Sequence, residues 1–215
     1  MTKISKRLKA IAEFVTKKDS LVDVGCDHGL LSIYLVENKL AKKVIASDIN
    51  QNALNSAIKN ISSRNLDIET ILSDGINDID LKGINTLVIS GMGTSTILHI
   101  LKNEEKIKKI KKIIIQSNND HELLRKNMND KGFYLENEVY ILDKNKWYVT
   151  CNFIRDEKKN SSEEIKYGFL DNIDYNNYIL KYEKSIFKKI PWTSIKAKLE
   201  AFNKYKKLKK AISKR

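Results

Sequence analysis

From residue 20 to residue 155 the chain alternates short apolar runs with stretches in which apolar side chains recur every three or four positions. Leu21–Gly25 reads as a buried strand, and Lys43–Ser47, Ile68–Leu72, Thr86–Ser90 and Lys112–Gln116 as four further strands. Helical periodicity follows over Leu30–Val36, over a segment that Asn50 caps and that runs to about Ser62, over residues 95–102, and over His121–Lys131, closed by Gly132. A short amphipathic helix over residues 5–15 precedes them, with Leu8, Ile11, Ala12 and Val15 on one side and Lys6, Arg7 and Lys9 on the other. Strand and helix alternating at this spacing predict an α/β fold, a doubly wound and mostly parallel sheet with helices on both faces. Leu135–Leu142 and Trp147–Ile154, flanking Asp143-Lys144-Asn145-Lys146, read as an antiparallel hairpin on one edge of that sheet.

The pattern changes near residue 160. Asp156–Glu164 is polar and charged and reads as a linker, so a sheet domain over 1–158 and a helical appendage over 159–215 are expected. In the appendage Tyr175, Tyr178, Ile179, Tyr182 and Ile186 share one helical face. After Pro191, which interrupts the helix, Trp192, Ile195, Leu199, Phe202, Leu208 and Ile212 share another, and Thr193 or Ser194 can cap it. This predicts a helical hairpin of coiled-coil character, its aromatic stripe serving as a packing seam rather than as a platform for bases.

Composition narrows the class. With 41% hydrophobic and 31% charged residues the chain can bury a core, and no apolar run approaches the ~20 residues of a membrane-spanning helix. The opening segment has no apolar core or small-residue cleavage site, so it is not expected to act as a secretory leader. Cys26 and Cys151 are the only cysteines and form no CxxC pair, which suits a reducing cytoplasm. The net charge of +13 is concentrated. Residues 1–18 carry six basic side chains against Glu13 alone, residues 196–215 carry nine against Glu200 alone, and the rest of the chain balances. A polyanion that touches both ends is the implied partner, because each neutralised phosphate releases a counterion. Lysine-rich faces kept for solubility are the plainer alternative.

Candidate chemistry lies at the carboxyl ends of the strands, where open α/β sheets hold their ligands. The first strand ends Asp23-Val24-Gly25-Cys26-Asp27-His28-Gly29, whose glycine spacing is not the dinucleotide fingerprint. Asp48 stands 23 residues after Gly25 at the end of the second strand, placed to accept from ribose hydroxyls or else to cap the next helix. Asp74, in Ser73-Asp74-Gly75, is placed to accept from an adenine amino group or else belongs to a turn. Three strand ends carrying Gly25, Asp48 and Asp74 in order suit a nucleoside cofactor without a pyrophosphate, of which S-adenosylmethionine is the common one. Asp23, Cys26, Ile49, Gly75 and Gly91 complete the expected cofactor site. Cys26, His28, His99, His121 and Cys151 follow no metal-ligand spacing, so no metal is expected. Cys26 has no visible partner that would make it a nucleophile, and His99 is expected to pack within its helix.

The stretches Ile4-Ser5-Lys6-Arg7-Leu8, Asp23 to Gly29, Ser90-Gly91-Met92-Gly93 and Gln116-Ser117-Asn118, with Tyr167, Gly168 and Leu170 further on, resemble the bacterial tRNA adenine-22 N1-methyltransferase family over essentially the whole chain. The resemblance implies a Rossmann-like fold, S-adenosylmethionine as cofactor, tRNA as partner, and methyl transfer to N1 of an adenine in the D-arm region. With that reaction Asp27 is expected to be catalytic, accepting from the adenine N6 amino group as positive charge grows on the ring. His28 and Asn118 are expected to orient the base, and Arg7 with the terminal lysines to hold tRNA phosphates. A monomer, without metal or membrane attachment, is expected. The sequence departs from the family pattern at Leu30 and Ser32, where the family has tyrosine and proline, and at Thr94 and Ser117, where it has glycine and proline. Three other readings stay open. They are a methyltransferase with a different acceptor, a non-catalytic RNA-binding protein on a relic fold, and a nicotinamide oxidoreductase.

Overall fold

In the computed structural model, which describes residues 2–214, the apolar runs form strands β1 (Ser20–Val24), β2 (Lys43–Asp48), β3 (Glu69–Leu72), β4 (Thr86–Met92), β5 (Lys112–Ser117), β6 (Phe133–Asp143) and β7 (Lys146–Arg155). They lie in the order β3-β2-β1-β4-β5-β7-β6, with every pair among the first five parallel and β7 antiparallel to both its neighbours. Because β1 and β5 are covered on both faces, their residues are buried almost throughout and carry no polar alternation.

Helices α1 (Lys6–Glu13), α2 (Leu30–Glu37), α3 (Gln51–Ser62), α4 (Thr94–Ile100), α5 (Glu104–Ile107) and α6 (His121–Asp130) connect or flank the strands. The Ser5 and Asn50 side chains accept from free N–H groups at the starts of α1 and α3, as the sequence pattern requires. One core layer gathers Ile11, Val15, Ile33, Leu35, Leu54 and Ile61 from α1, its exit, α2 and α3 around Leu21, Val88 and Ile114.

Three details differ from the sequence reading. Strand β4 continues two residues past Ser90, through a register shift against β5 at Gly91, whose φ is +81°. The shift is a bulge, and glycine supplies the left-handed backbone it needs. The hairpin turn narrows to Lys144 and Asn145, both at positive φ, the conformation that matches the strand twist in a two-residue connection. The short helix α5 has no counterpart among the expected elements.

The described chain divides into two compact units, one ending at Asn160 and the other beginning at Ser161. The second unit holds α7 (Ser162–Tyr167), α8 (Ile173–Lys189) and α9 (Ile195–Ile212). Part of the expected linker is therefore helical. Ser161 and Glu164 form a reciprocal capping box that starts α7 inside a stretch whose polarity reads as coil. Pro191 breaks α8 from α9, and Ile190 has left the helical region with ψ 123° as a residue before proline must. Leu170, Leu208 and Ala211 form the small core here, with Ile179 and Ile212 against them. The expected aromatic seam is only partly realised. Tyr178, Tyr182, Trp192, Ile195 and Leu199 are exposed, because helices packed on each other as a pair can each cover only the facing side of the other.

Candidate functional site

The chain leaves β1 toward β2 and leaves β4 toward β5, so a crevice opens where these neighbours part at their carboxyl ends. A cavity of about 650 Å³ occupies it, within the usual range for a small-molecule site. Arg7, Asp23, Gly25, Cys26, Asp27, His28, Asp48, Ile49, Asp74, Gly75 and Gly91 all line it, so ten of the sequence candidates on strand ends and one on α1 are brought together.

The loop after β1 is shaped by backbone constraints. Gly25 has φ +73°, a backbone conformation that side-chain-bearing residues rarely adopt, and a Cβ there would also displace the flexible thioether end of Met92. The Gly25 and Cys26 N–H groups both donate to the Ser47 carbonyl, at 2.8 and 2.9 Å, which ties the loop to the end of β2. Asp48 then straps the same loop from its side chain. One carboxylate oxygen accepts from the Asp27 N–H and the other from the Asn50 N–H, each at 2.9 Å. Capping of α3 falls to Asn50, so the capping alternative for Asp48 does not hold.

Asp23 is buried beneath this loop and accepts the Ser32 hydroxyl at 2.7 Å. Burial raises its pKa from 3.8 to about 6; the nearby Asp48 charge adds to the rise, while Ser32 and Arg7 oppose it. Ser32, one of the departures from the family pattern, is thus a donor to a buried carboxylate. Cys26 is also buried, and desolvation, then Asp23 and Asp48, push its thiol far above the normal range, which leaves it inert as a nucleophile. Asp27 and His28 stand at the mouth instead. Their side chains are 74% and 57% exposed, and Nε2 of His28 lies 3.6 Å from the Asp27 carboxylate.

Arg7 reaches the site from α1. Its guanidinium donates to Gln116 Oε1 at 2.7 Å and lies 5.7 Å from the centre of the Tyr148 ring. Asn118 does not line the cavity. Its amide donates to the Gly91 carbonyl at 2.8 Å and its N–H to the Met92 carbonyl at 2.9 Å, which pins the β5–α6 loop to the bulge of β4. Beside it the other two departures from the family pattern meet. The Thr94 and Ser117 hydroxyls, both buried, share a hydrogen bond at 2.8 Å, and whichever of them does not donate to the other is free to donate to the Asn119 carbonyl, which lies within reach of both. The two substitutions form one hydrogen-bonded unit that joins the start of α4 to the end of β5.

Helix α4 contributes residues that the sequence reading passed over. Thr96, His99 and Ile100 line the cavity from one helix face. His99 is exposed there and not packed within its helix, contrary to expectation. The spacing i, i+3, i+4 directly after a strand end is the signal that was available for them. Among the described residues no cluster of three or more His, Cys, Asp or Glu is placed to hold a metal ion, and no helix is long and apolar enough to cross a membrane.

Comparison with known proteins agrees with this geometry. A family profile described as "Methyltransferase domain" matches residues 4–151. The tRNA (adenine(22)-N(1))-methyltransferase of Bacillus subtilis is 30% identical over 149 residues, 68% of this chain and 63% of that protein. The chain thus aligns with just under two thirds of that curated relative's length. The structure of Mycoplasma capricolum TrmK with S-adenosyl-homocysteine superimposes with a TM-score of 0.86 at 31% identity, covering 98% of both chains. A Streptococcus pneumoniae protein in complex with S-adenosyl-L-methionine gives a TM-score of 0.89 at 26% identity, covering 98% of this chain and all of that one.

Proposed function

The chain belongs to the methyltransferase-domain family and, within it, to the TrmK family, and from that membership we propose that it transfers a methyl group from S-adenosylmethionine to N1 of an adenine in tRNA, at position 22 in the D-arm region. The observation that carries the proposal is the cavity at the sheet's switch point, lined by Gly25, Asp48 and Asp74 from three successive strand ends.

The residues present fit that cofactor. Asp48 and Asp74 supply carboxylates for ribose hydroxyls and for the adenine amino group, and Ile49, two-thirds exposed, supplies an apolar wall. The bare backbone at Gly25 allows a ligand to approach, and Asp23 provides a negative charge under the loop for the cofactor's ammonium group. Cys26, Gly75 and Gly91 complete the lining through the backbone. When bound, the cofactor supplies an electrophilic methyl on a sulfonium.

The chain's own residues have little proton chemistry to perform. Adenine N1 is a neutral lone pair at physiological pH, so the work is alignment and stabilisation of the cation forming on the ring. Asp27 suits the second task, since its carboxylate is exposed at the mouth, beside His28, while its backbone is fixed by Asp48. His28 beside it helps to seat the base. N1 lies on the Watson–Crick edge, so the target adenine must be unpaired or flipped out. Asn118 acts in this scheme by holding the β5–α6 loop, and Arg7 by setting the cleft wall and meeting the RNA backbone. The lysines of both chain ends meet tRNA phosphates. The protein works as a monomer in the cytoplasm, and two buried free thiols support the second part of that reading.

Incubation with labelled S-adenosylmethionine and unmodified bulk tRNA, followed by mass spectrometry of the nucleosides, tests the proposal. N1-methyladenosine is expected. Cofactor binding without incorporation into tRNA would retain the fold and remove the acceptor.

A further inference from the structure

The corner between α8 and α9 gathers three of the most exposed large hydrophobic side chains of the described residues. Trp192 is 76% exposed, and Ile195 and Leu199 beside it are 72% and 57% exposed. The indole is nevertheless not loose. Lys198, itself buried, places its ammonium 4.4 Å from the centre of the Trp192 ring and 4.9 Å from that of Phe187. The same ammonium donates to the Ile190 carbonyl at 2.7 Å, so the cation supporting the ring is anchored to the backbone of the turn. Beneath it, Phe187 and Phe202 stack at 5.3 Å. A large aromatic surface is therefore held in place by a cation, with most of its area left to solvent.

The charge around it selects what can cover it. From residue 184 to residue 199 the chain carries five lysines and no acidic side chain, and Lys188, Lys189 and Lys196 are exposed. A second copy docking through this corner would oppose lysine to lysine, which favours an anionic partner over self-association. A partner with flat apolar groups spaced along a chain of negative charges satisfies both features, and a single-stranded segment of nucleic acid is that chemistry.

We propose that Trp192 is a stacking platform for an unpaired base of the RNA substrate, with Lys188, Lys189 and Lys196 taking the flanking phosphates. This adds a base contact to the phosphate contacts proposed above for the lysines of the helical unit, and it rests on the reading of RNA as substrate. Stacking adds affinity with little sequence preference and without changing the number of counterions released.

Two measurements on the full chain test this. In tRNA binding titrated against salt, Trp192→Ala should weaken affinity about tenfold at every salt concentration with an unchanged salt slope, while Trp192→Phe retains most of the binding. In a Trp147→Phe background, where Trp192 is the only indole, a single-stranded oligonucleotide should quench the fluorescence and heparin, a polyanion without bases, should not. The second measurement keeps Trp192 intact, so it decides even if the alanine variant fails to fold. Equal quenching by heparin, or wild-type affinity in a folded Trp192→Ala variant, would overturn the platform. A dimer that Trp192→Ala dissociates would assign the corner to a second copy and overturn it equally. Oligonucleotide quenching with no methyl transfer to tRNA would keep the platform and remove the proposed reaction instead.

Discussion

The cleft of the first unit and the helical corner of the second depart from the usual distribution of side chains in opposite directions. The cleft buries groups that favour water, above all Asp23 and the carboxylate of Asp48, and gives each a fixed set of donors. The corner exposes groups that avoid water, Trp192, Ile195 and Leu199, and rings them with lysines. Neither arrangement is what folding alone favours. Burying a carboxylate costs desolvation, and leaving a tryptophan in solvent forgoes hydrophobic stabilisation. The cleft carries its cost where a small ligand needs a preorganised charge, and the corner where a large polymer needs an adhesive surface. One contrast follows directly. Variants in the cleft should alter chemistry or ligand affinity in ways that stability does not track, whereas variants at the corner should alter RNA affinity with the fold almost indifferent.

The largest expected effect tests the mouth of the cleft. Asp27→Ala should lower kcat by roughly 10²–10³-fold while the cofactor Kd stays within about threefold, the signature of an interaction made mainly in the transition state. Asp27 has φ +53°, so Asp27→Asn is the cleaner partner variant, because asparagine tolerates that backbone. Kinetics and isothermal titration on both variants measure this split, and equal losses in kcat and in cofactor affinity would move Asp27 into the cofactor site.

The next effect is on stability, and its sign is unusual for an active-site substitution. Burial raises the Asp23 pKa in the folded state to about 6 from 3.8, so the ionised side chain opposes folding at neutral pH. Stability from this group is fully present below about pH 4 and is lost as pH rises toward 6. Asp23→Asn should therefore stabilise the protein at pH 7 by up to ~3 kcal/mol, with the gain vanishing near pH 4, while cofactor affinity falls at least about tenfold. Urea unfolding at the two pH values, beside cofactor titration, separates the effects. A variant less stable at pH 7 than the parent would mean that Asp23 is held mainly by its hydrogen bonds.

A smaller effect concerns the polar clamp beside the cleft. Thr94→Ala and Ser117→Ala should be non-additive by ~1 kcal/mol in a double-mutant cycle on stability, since either change strips a shared hydrogen-bonded unit. Additive losses would make the two positions independent. The smallest effect lies at the corner. Leu199→Ser should leave unfolding free energy within ~0.5 kcal/mol of wild type, because the side chain is already largely in water. A loss of several kcal/mol would show that the corner is packed in solution and would erase the contrast from which these expectations start.

Much of the architecture follows from local pattern. Strand length, helical period and the cap at Asn50 are properties of short windows, which is why the alternation, the parallel sheet and the edge hairpin are readable without coordinates. The strand-end positions Asp23, Gly25, Asp48 and Asp74 are readable for a related reason. Once strands are parallel, their carboxyl ends must share one edge, so residues far apart in the chain are known to be neighbours before any contact is seen.

What the tertiary structure alone decided are the relations between such segments. Whether Asp48 caps a helix or straps a loop depends on where Asp27 comes to rest, 21 residues earlier. The meeting of Thr94 with Ser117, the donation from Ser32 to Asp23 and the pinning of Asn118 to the β4 bulge depend equally on distant packing. The helical unit shows the same limit from the other side. Period identifies which residues share a face of a helix, but burial of that face requires a partner surface of matching area, and the α8–α9 pair does not provide it for every apolar position. Sequence by itself determined the strands and all the helices but the short α5 and α7, their order, and the edge on which the chemistry lies. Tertiary structure determined which polar groups are satisfied and which apolar ones remain uncovered, because desolvation and hydrogen-bond partnership belong to the assembled neighbourhood and not to any single stretch of chain.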